Sequence, residues 1–314
     1  MGILIGMDEA GYGPNLGPLV VTTTVWNVPD DPRACDLWEC FAEVVANQPD
    51  PERKRFHIGD SKEVYSPAKG LTELERSVFA VLGLCFGRFP QSLAELVGMI
   101  GGNWDEFTAA EPWYATELPL PLLIDPLPLA EQVECWRACC ETHRVQAPSI
   151  RSDVVLTARW NRLVEDADNK ALAHSRNCLD LLRKCWSVAD GDCLIVIDKH
   201  GGRNRYDGLL AEILDGEMIL RLDEGRHLSR YRVGQTELHF RTKAEAVFPV
   251  AVASLISKYL RETMMELFNR YWQQHLPDLK PTKGYPQDAK RFRREIAAKQ
   301  QELGITLNTL WRNR

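Results

Sequence analysis

Hydrophobic positions along this chain come in short runs that end on acids. Ile3, Leu4 and Ile5 lead into Asp8 and Glu9, and a second apolar run, Leu19 to Val25, follows a connection rich in glycine and proline. The pattern predicts a hairpin-like pair of strands over residues 2–9 and 18–28, with two carboxylates where the first strand ends. A buried strand end is a costly place for two acids unless positive charge is held there. Further on, "GDSKEV" predicts a loop, an amphipathic helix starts at about Ser66, and "VLGLCFGRF" predicts a third strand. Apolar residues recur at helical spacing from about Val154 to Cys185. "DCLIVID" predicts a buried strand closing on Asp198, followed by the basic loop "KHGGRNRY". "TELHF" predicts another strand, joined to a long helix by a short connection that carries Glu245. Strands and helices in this order predict an α/β layer fold.

Residues 90–150 break the pattern. Pro112, Pro119, Pro121, Pro126 and Pro128 interrupt an apolar segment containing Trp104, Trp113 and Tyr114. This segment is expected to be an insertion lying over the core, outside the central sheet and not a separate domain. The chain as a whole, 314 residues with 45% hydrophobic and 26% charged, has ordinary globular composition and ample material for a core.

Net charge is −6, unpromising for a nucleic-acid binder, but its distribution changes the picture. Residues 1–150 hold 10 Lys/Arg against 22 Asp/Glu, a net of −12, and residues 151–314 hold 28 against 22, a net of +6. The late stretch "KPTKGYPQDAKRFRREIAAKQ" is basic with aromatic residues inside it. Such asymmetry fits a nucleic-acid face, and equally a solvated basic helix. No apolar run approaches the roughly 20 residues that span a bilayer, and the N-terminus has no signal-peptide pattern. The nine cysteines include no Cys-x-x-Cys pair. The expectation is a cytoplasmic protein without a membrane partner. Cys135, Cys139, Cys140 and His143 have helical spacing and can be drawn as a zinc site. Small buried residues on an amphipathic helix are the favoured reading, because the tighter pairs of structural zinc sites are missing.

Asp8, Asp198 and Glu245 each follow a strand-like run, and strand ends on one edge of an α/β sheet converge. Carboxylates that converge repel one another unless cations neutralise them, and hard oxygen ligands select Mg²⁺ or Mn²⁺ over zinc. Two such ions can clamp a phosphodiester. One acid alone would be read as a helix cap or surface ion pair; three at strand ends point towards metal-dependent phosphoryl chemistry.

The motifs carry a more specific signal. "GMDEAGYGPNLGPLVV" resembles the opening motif of the type 2 ribonuclease H family (ribonucleases HII and HIII), a strand bearing Asp-Glu followed by a glycine-rich turn. "GDSKEV" is similar to that family's Asp-Ser-Lys segment, and "LIVID" to its third acidic strand. "KAEAVFPVAVASLISKYLRE" resembles the stretch with its fourth acid and following helix, and "KGYP" its late Lys-Gly-Tyr motif. The five blocks are collinear and cover most of the chain except residues 90–150 and about 203–235. The resemblance implies a ribonuclease H-like α/β fold, a central mixed five-stranded sheet flanked by helices. It makes residues 1–314 one such domain, with the insertion 90–150 and a basic C-terminal helical region, 280–314.

Carried over, the family's four metal-binding and catalytic acids fall on Asp8, Glu9, Asp198 and Glu245, holding two Mg²⁺ or Mn²⁺ ions. Neighbouring residues on a strand face opposite ways, so Asp8 is expected to bridge the metals and Glu9 to contact one of them. Lys62 and Lys243 become candidates for phosphate contacts, and Tyr285 for stacking near the scissile sugar. Gly11, Tyr12 and Gly13 stand where ribonuclease HII has Gly-Arg-Gly, which that branch uses to feel a ribonucleotide 2′-hydroxyl at an RNA–DNA junction. Tyrosine lacks arginine's forked, charged donors, which puts junction selectivity in question while the glycines still let backbone amides approach a sugar. His200, Arg203 and Arg205, in a loop that departs from the family's pattern, are read either as a phosphate grip or as a solvated loop. The implied activity is metal-dependent endonucleolytic hydrolysis of the RNA strand of RNA–DNA hybrids, or of DNA containing ribonucleotides, by a monomer. Alternatives are a nuclease of the same fold with another nucleic-acid substrate, or a nucleic-acid-binding protein whose catalysis has decayed.

Overall fold

The computed structural model describes residues 1–66 and 68–313; Pro67, in the predicted first helix, and Arg314, at the end of the basic region, lie outside them. The opening runs form two antiparallel strands, β1 (Gly2–Ala10) and β2 (Leu19–Val28). β3 (Ser149–Val155) adds antiparallel to β2. On the other side of β1 lie β4 (Cys193–Asp198), parallel to it, and then the most C-terminal strand of the sheet (Thr236–Arg241), parallel to β4. A hairpin, β5 (Ile219–Glu224) and β6 (Leu228–Val233), extends that edge antiparallel to the last strand, here β7. The order is β3-β2-β1-β4-β7-β6-β5.

This is the mixed sheet between helices that a ribonuclease H-like fold requires, with seven strands in place of the expected five. The two extra strands fall in the stretch without a family counterpart. Most of β5 is exposed, with Leu220 and Leu222 alternating with Arg221 and Asp223. An edge strand without a buried face is poorly marked by its apolar residues.

Helices cover both faces. One layer holds α1 (Thr72–Phe86), α2 (Leu93–Met99), α3 (Trp104–Ala110), α4 (Leu127–Thr142) and a 28-residue helix, Phe248–His275. The opposite layer holds α5 (Thr157–Ala167), α6 (Lys170–Arg183) and α7 (Asp207–Ile213). The 28-residue helix is α8, and α9 (Pro286–Glu302) follows it. Alternation along β1 divides the core: Leu4 packs in the layer with α8, while Ile5 and Met7 pack in the layer with α6.

The predicted third strand is corrected. "VLGLCFGRF" is the end of α1 and the residues beyond it, and the helix begins at Thr72, not Ser66. Residues 74–84 of α1 are all buried, and from Val78 to Leu84 no charged residue interrupts the run, so this half loses the amphipathic stripe that marks a surface helix. The helical reading from Val154 is also adjusted, because 149–155 is strand before the two helices begin. The insertion keeps out of the sheet interior: 90–148 forms α2, α3, α4 and irregular connections, and only 149–150 open β3 at the sheet edge. Leu96, Trp113, Leu118 and Trp136 join the same core as α8, and Trp113 meets Phe268 at 5.0 Å between ring centroids.

The helix α8 sits unusually close to the sheet. A Cβ on Gly6 would lie 2.2 Å from the Pro249 carbonyl carbon and 2.3 Å from the Val250 nitrogen, so only glycine admits the helix backbone here. Gly6→Ala is therefore expected to lower unfolding stability by about 1–3 kcal/mol or more. Gly208→Ala in α7, where an added Cβ meets nothing within 4 Å, should leave stability unchanged or slightly raised; urea denaturation of both variants measures the contrast.

Candidate active site

Three parallel strands deliver the acids. β1, β4 and β7 run in one direction, so their carboxyl ends share an edge of the sheet. Met7 pairs with Ile197, which sets Asp8 and Asp198 side by side at the next position. Glu245 belongs to the turn Ala244–Ala246 after β7, entered through Lys243 in the left-handed region at φ +56°. That turn points the Ala244 N–H at Asp198 Oδ1, 3.4 Å away.

Asp8 and Glu9 diverge as adjacent strand residues must. Asp8 is buried beneath α8, where Ser254 donates to its carboxylate and the Ser257 hydroxyl donates to its backbone carbonyl at 3.2 Å. Glu9 faces α6, with its Oε2 3.6 Å from His174 Nε2. Their electrostatics diverge as well. Burial pushes the Asp8 carboxyl well above the usual range; Glu9 pushes it further, and Glu245 and Asp198 add to this against the Ser254 hydrogen bond. Asp198 is pushed up to about 6 by burial, then by Glu245 and Glu9. Burial would raise Glu9 too, but the charge and hydrogen bond of His174, with Lys62 adding, hold it below its ordinary value. Asp8 and Asp198 thus each lie within electrostatic reach of the other three carboxylates. Lys62 feels them in return: burial would lower its pKa, but Asp60, Glu245, Asp8 and Asp198 outweigh this and raise it. Lys243 is exposed and lines a groove with Glu245, Asp60, Asn47 and Trp38.

The glycine loop after β1 is built from several directions. Gly11 has φ +94°, and a Cβ there would lie 2.5 Å from Arg261 Nε and 2.6 Å from the Pro18 carbonyl oxygen. Gly284 of the Lys-Gly-Tyr segment, at φ +80°, accepts the Asn15 N–H at 2.8 Å. Tyr285 consequently lies beside Gly13, its ring 4.0 Å from where a Cβ would stand, and remains half exposed. Lys283 anchors the segment through Glu262 at 2.6 Å and the Tyr65 hydroxyl at 3.0 Å. From the far end of the chain, the buried Arg312 guanidinium donates to the carbonyls of Gly11 and Pro14. Tyr12 turns the other way, its ring 4.7 Å from that of His174 and edge-on to Trp160 at 6.2 Å, with Lys170 Nζ 4.4 Å above it.

The structure thus brings Asp8, Glu9, Asp198, Glu245 and Lys62 to one sheet edge, although among the described residues no three of these acids have carboxylate oxygens all within 4.8 Å of one another. It puts Lys243 on the adjoining groove, and sets Tyr285 with Gly13 while Tyr12 packs towards α6. The phosphate-grip reading of His200 is corrected. His200 is buried, its Nδ1 is 3.0 Å from Ser175 Oγ, and burial pushes its pKa down to about 3 with His174 contributing. A neutral imidazole behind the loop does not grip a phosphate from solution. Lys199 pins that loop from inside through the carbonyls of Arg203 at 3.2 Å and Gly225 at 2.6 Å and the Ser229 hydroxyl at 3.0 Å. Cys135, Cys139, Cys140 and His143 form no ligand group among the described residues, and Cys135 is exposed. His174, Ser254, Arg261 and Arg312 were not singled out from the sequence. Each acts on a residue more than 160 positions away, and although Ser254 and Arg261 lie in the motif stretch 243–262, nothing local marks what they reach.

No protein-family model and no curated relative matches the sequence. Among solved structures, the chain is similar to ribonuclease HII from Archaeoglobus fulgidus, determined in a complex with PCNA, at 15% identity and a TM-score of 0.45, covering 99% of this chain and 94% of that one. It is similar to Bst-RNase HIII in complex with Mn²⁺ at 18% identity and a TM-score of 0.44, spanning 99% of this chain but just 66% of that one. Ribonuclease H2 from Pyrococcus horikoshii OT3 matches at 12% identity and a TM-score of 0.40, covering 98% and 92% of the two chains.

The raised Asp198 carboxyl makes a prediction about the metal-free protein. A carboxyl whose folded pKa is about 6 against an ordinary 3.8 costs stability once it is ionised, with the full cost above pH 6 and none below about pH 4. In chelator-treated protein, Asp198→Asn should raise the Tm at pH 7, and the difference from the unaltered protein should close as pH falls from 6 to 4. Calorimetry across that range measures it.

Proposed function

We propose that this chain is a metal-dependent endonuclease that hydrolyses the RNA strand of RNA–DNA hybrids. The observation that carries this reading is the gathering of Asp8, Glu9, Asp198 and Glu245 at one sheet edge, with burial and mutual repulsion raising the carboxyls of Asp8 and Asp198. The donors are all hard oxygens and carry excess negative charge, which suits Mg²⁺ or Mn²⁺. These four side chains would hold the ions, which when bound supply a nucleophilic water and stabilise the leaving oxygen.

The remaining residues bind and orient. Lys62 and Lys243 offset the negative charge of the substrate's phosphates at the mouth of the acidic site. The Gly11–Gly13 loop, without side chains at its glycines, lets its backbone amides approach a 2′-hydroxyl displayed in the minor groove of a hybrid. Tyr285, half exposed beside Gly13, stacks against the sugar there. His174 holds Glu9 ionised and fixes its direction.

The discriminating assay compares matched duplexes, all-DNA, RNA–DNA and DNA with one ribonucleotide, in Mg²⁺ or Mn²⁺. Cleavage of the RNA-containing duplexes alone is expected, with loss in EDTA and a fall of roughly a hundredfold or more in Asp8→Asn. Activity that survives either change overturns the assignment, and cleavage of all-DNA duplex moves it to another substrate.

Tyr12 tests substrate choice. A neutral side chain there should discriminate weakly between one ribonucleotide and a run of them. A hydrogen bond from a charged group contributes about 1.5–3 kcal/mol, so Tyr12→Arg should shift the ratio of kcat/KM towards the single ribonucleotide by about tenfold. An unchanged ratio, with Tyr12→Ala also silent, would show that this position does not sense the junction.

A further inference from the structure

Behind Glu9, on the side of the sheet away from α8, three soft or borderline donors meet in the protein interior. His174 and Cys178 are one turn apart on α6, and His200 follows β4. All three are buried, and one donor atom from each lies within 4.8 Å of the others. We propose that His174, Cys178 and His200 form a second metal site, for a zinc-class ion, distinct from the carboxylate cluster.

The hydrogen bonding around the two imidazoles argues for this. A ligating histidine typically donates its other ring N–H to a fixed acceptor, which sets the tautomer and the ring orientation. His174 has Glu9 Oε2 3.6 Å from Nε2, leaving Nδ1 for a metal. His200 has Ser175 Oγ 3.0 Å from Nδ1, and its Nε2 is buried without any hydrogen-bond partner among the described residues. An orphaned buried nitrogen is costly, and coordination would satisfy it. Cys178 Sγ stands 3.7 Å from His174 Nδ1 and 3.8 Å from its Nε2. Bond lengths of about 2.3 Å for Zn–S and 2.0–2.1 Å for Zn–N put such donors about 3.6 Å apart around a tetrahedral ion. The third donor, within 4.8 Å of the other two, would then have to move inward to close the site. Coordination releases the thiol proton of Cys178, and the Nδ1 proton of a charged His174, to solvent. The donor set of two nitrogens and one sulfur prefers zinc-class ions over Mg²⁺, opposite to the all-oxygen cluster on the other side of Glu9. An ion here would lock the start of the His200 loop to α6 and fix the histidine that orients Glu9.

The site does not depend on the nuclease reading, and its test is spectroscopic. Chelator-treated protein is titrated with Co²⁺, a coloured stand-in for Zn²⁺. One equivalent is expected to give a thiolate-to-cobalt charge-transfer band with the intense visible bands of tetrahedral cobalt, bleached by one equivalent of Zn²⁺ and untouched by excess Mg²⁺. Cys178→Ser should abolish the charge-transfer band, with Cys178→Ala as the alternative if serine is not tolerated in the core. His200→Gln should weaken Co²⁺ binding at least tenfold. Asp198→Asn, which disables the carboxylate cluster, should keep every band, so failure of the nuclease reading and failure of this site are read separately. Absence of a thiolate band at stoichiometric Co²⁺, a band that survives loss of Cys178, or a band lost in Asp198→Asn overturns the proposal.

Discussion

The rest of the structure depends on the direct contact of one helix backbone with one strand. At Gly6 nothing separates β1 from α8, and the helix then runs along the strand towards the acids. Its residues Ser254, Ser257 and Arg261, three and four apart, lie along one face. In order they reach the Asp8 carboxylate, the Asp8 carbonyl together with Thr22, and the carbonyls of Leu16 and Lys283. A bulkier residue at position 6 would push the whole stripe outward. Acid, strand end, glycine loop and Lys-Gly-Tyr segment would then lose their common support.

Burial in this frame divides two adjacent carboxylates into different electrostatic classes. Asp8 faces a serine and two further acids, so its charge is opposed. Glu9 faces His174, so its charge is favoured. The β-strand alternation that separates them is a property of the backbone alone, yet it creates one acid held ionised by the protein and one whose charge the protein opposes. Burial first, and mutual repulsion at the strand ends second, thus oppose the charge on Asp8 and Asp198.

Much of this was legible in the chain because the informative contrasts are local. The apolar runs ahead of Asp8 and Asp198 mark buried parallel strands, and the motif blocks fix which acids belong together. Local contrast fails where both faces of an element share one environment. The helix Thr72–Phe86 is buried on nearly all sides and reads like a strand, while the strand Ile219–Glu224 is exposed and reads like a loop. The partners of the acids were illegible for a different reason. His174 meets Glu9, and Arg312 meets Gly11, through tertiary contacts between segments that carry no mutual signal in sequence. His200 misled because a histidine in a basic, glycine-containing loop looks exposed, whereas the loop folds its backbone outward and its imidazole inward.

The clasp of Arg312 on Gly11 spans 301 positions, and that span has a consequence for the order in which the molecule is made. During synthesis the strands that carry Asp8 and Asp198 leave the ribosome long before the residue that holds the glycine loop. A nascent chain can therefore pair its sheet while the loop beside the acids still lacks its final anchor. The loop gains this anchor only when the segment around Arg312 has cleared the exit tunnel and folded back onto it, so this edge of the sheet is completed 301 residues after Gly11 is made.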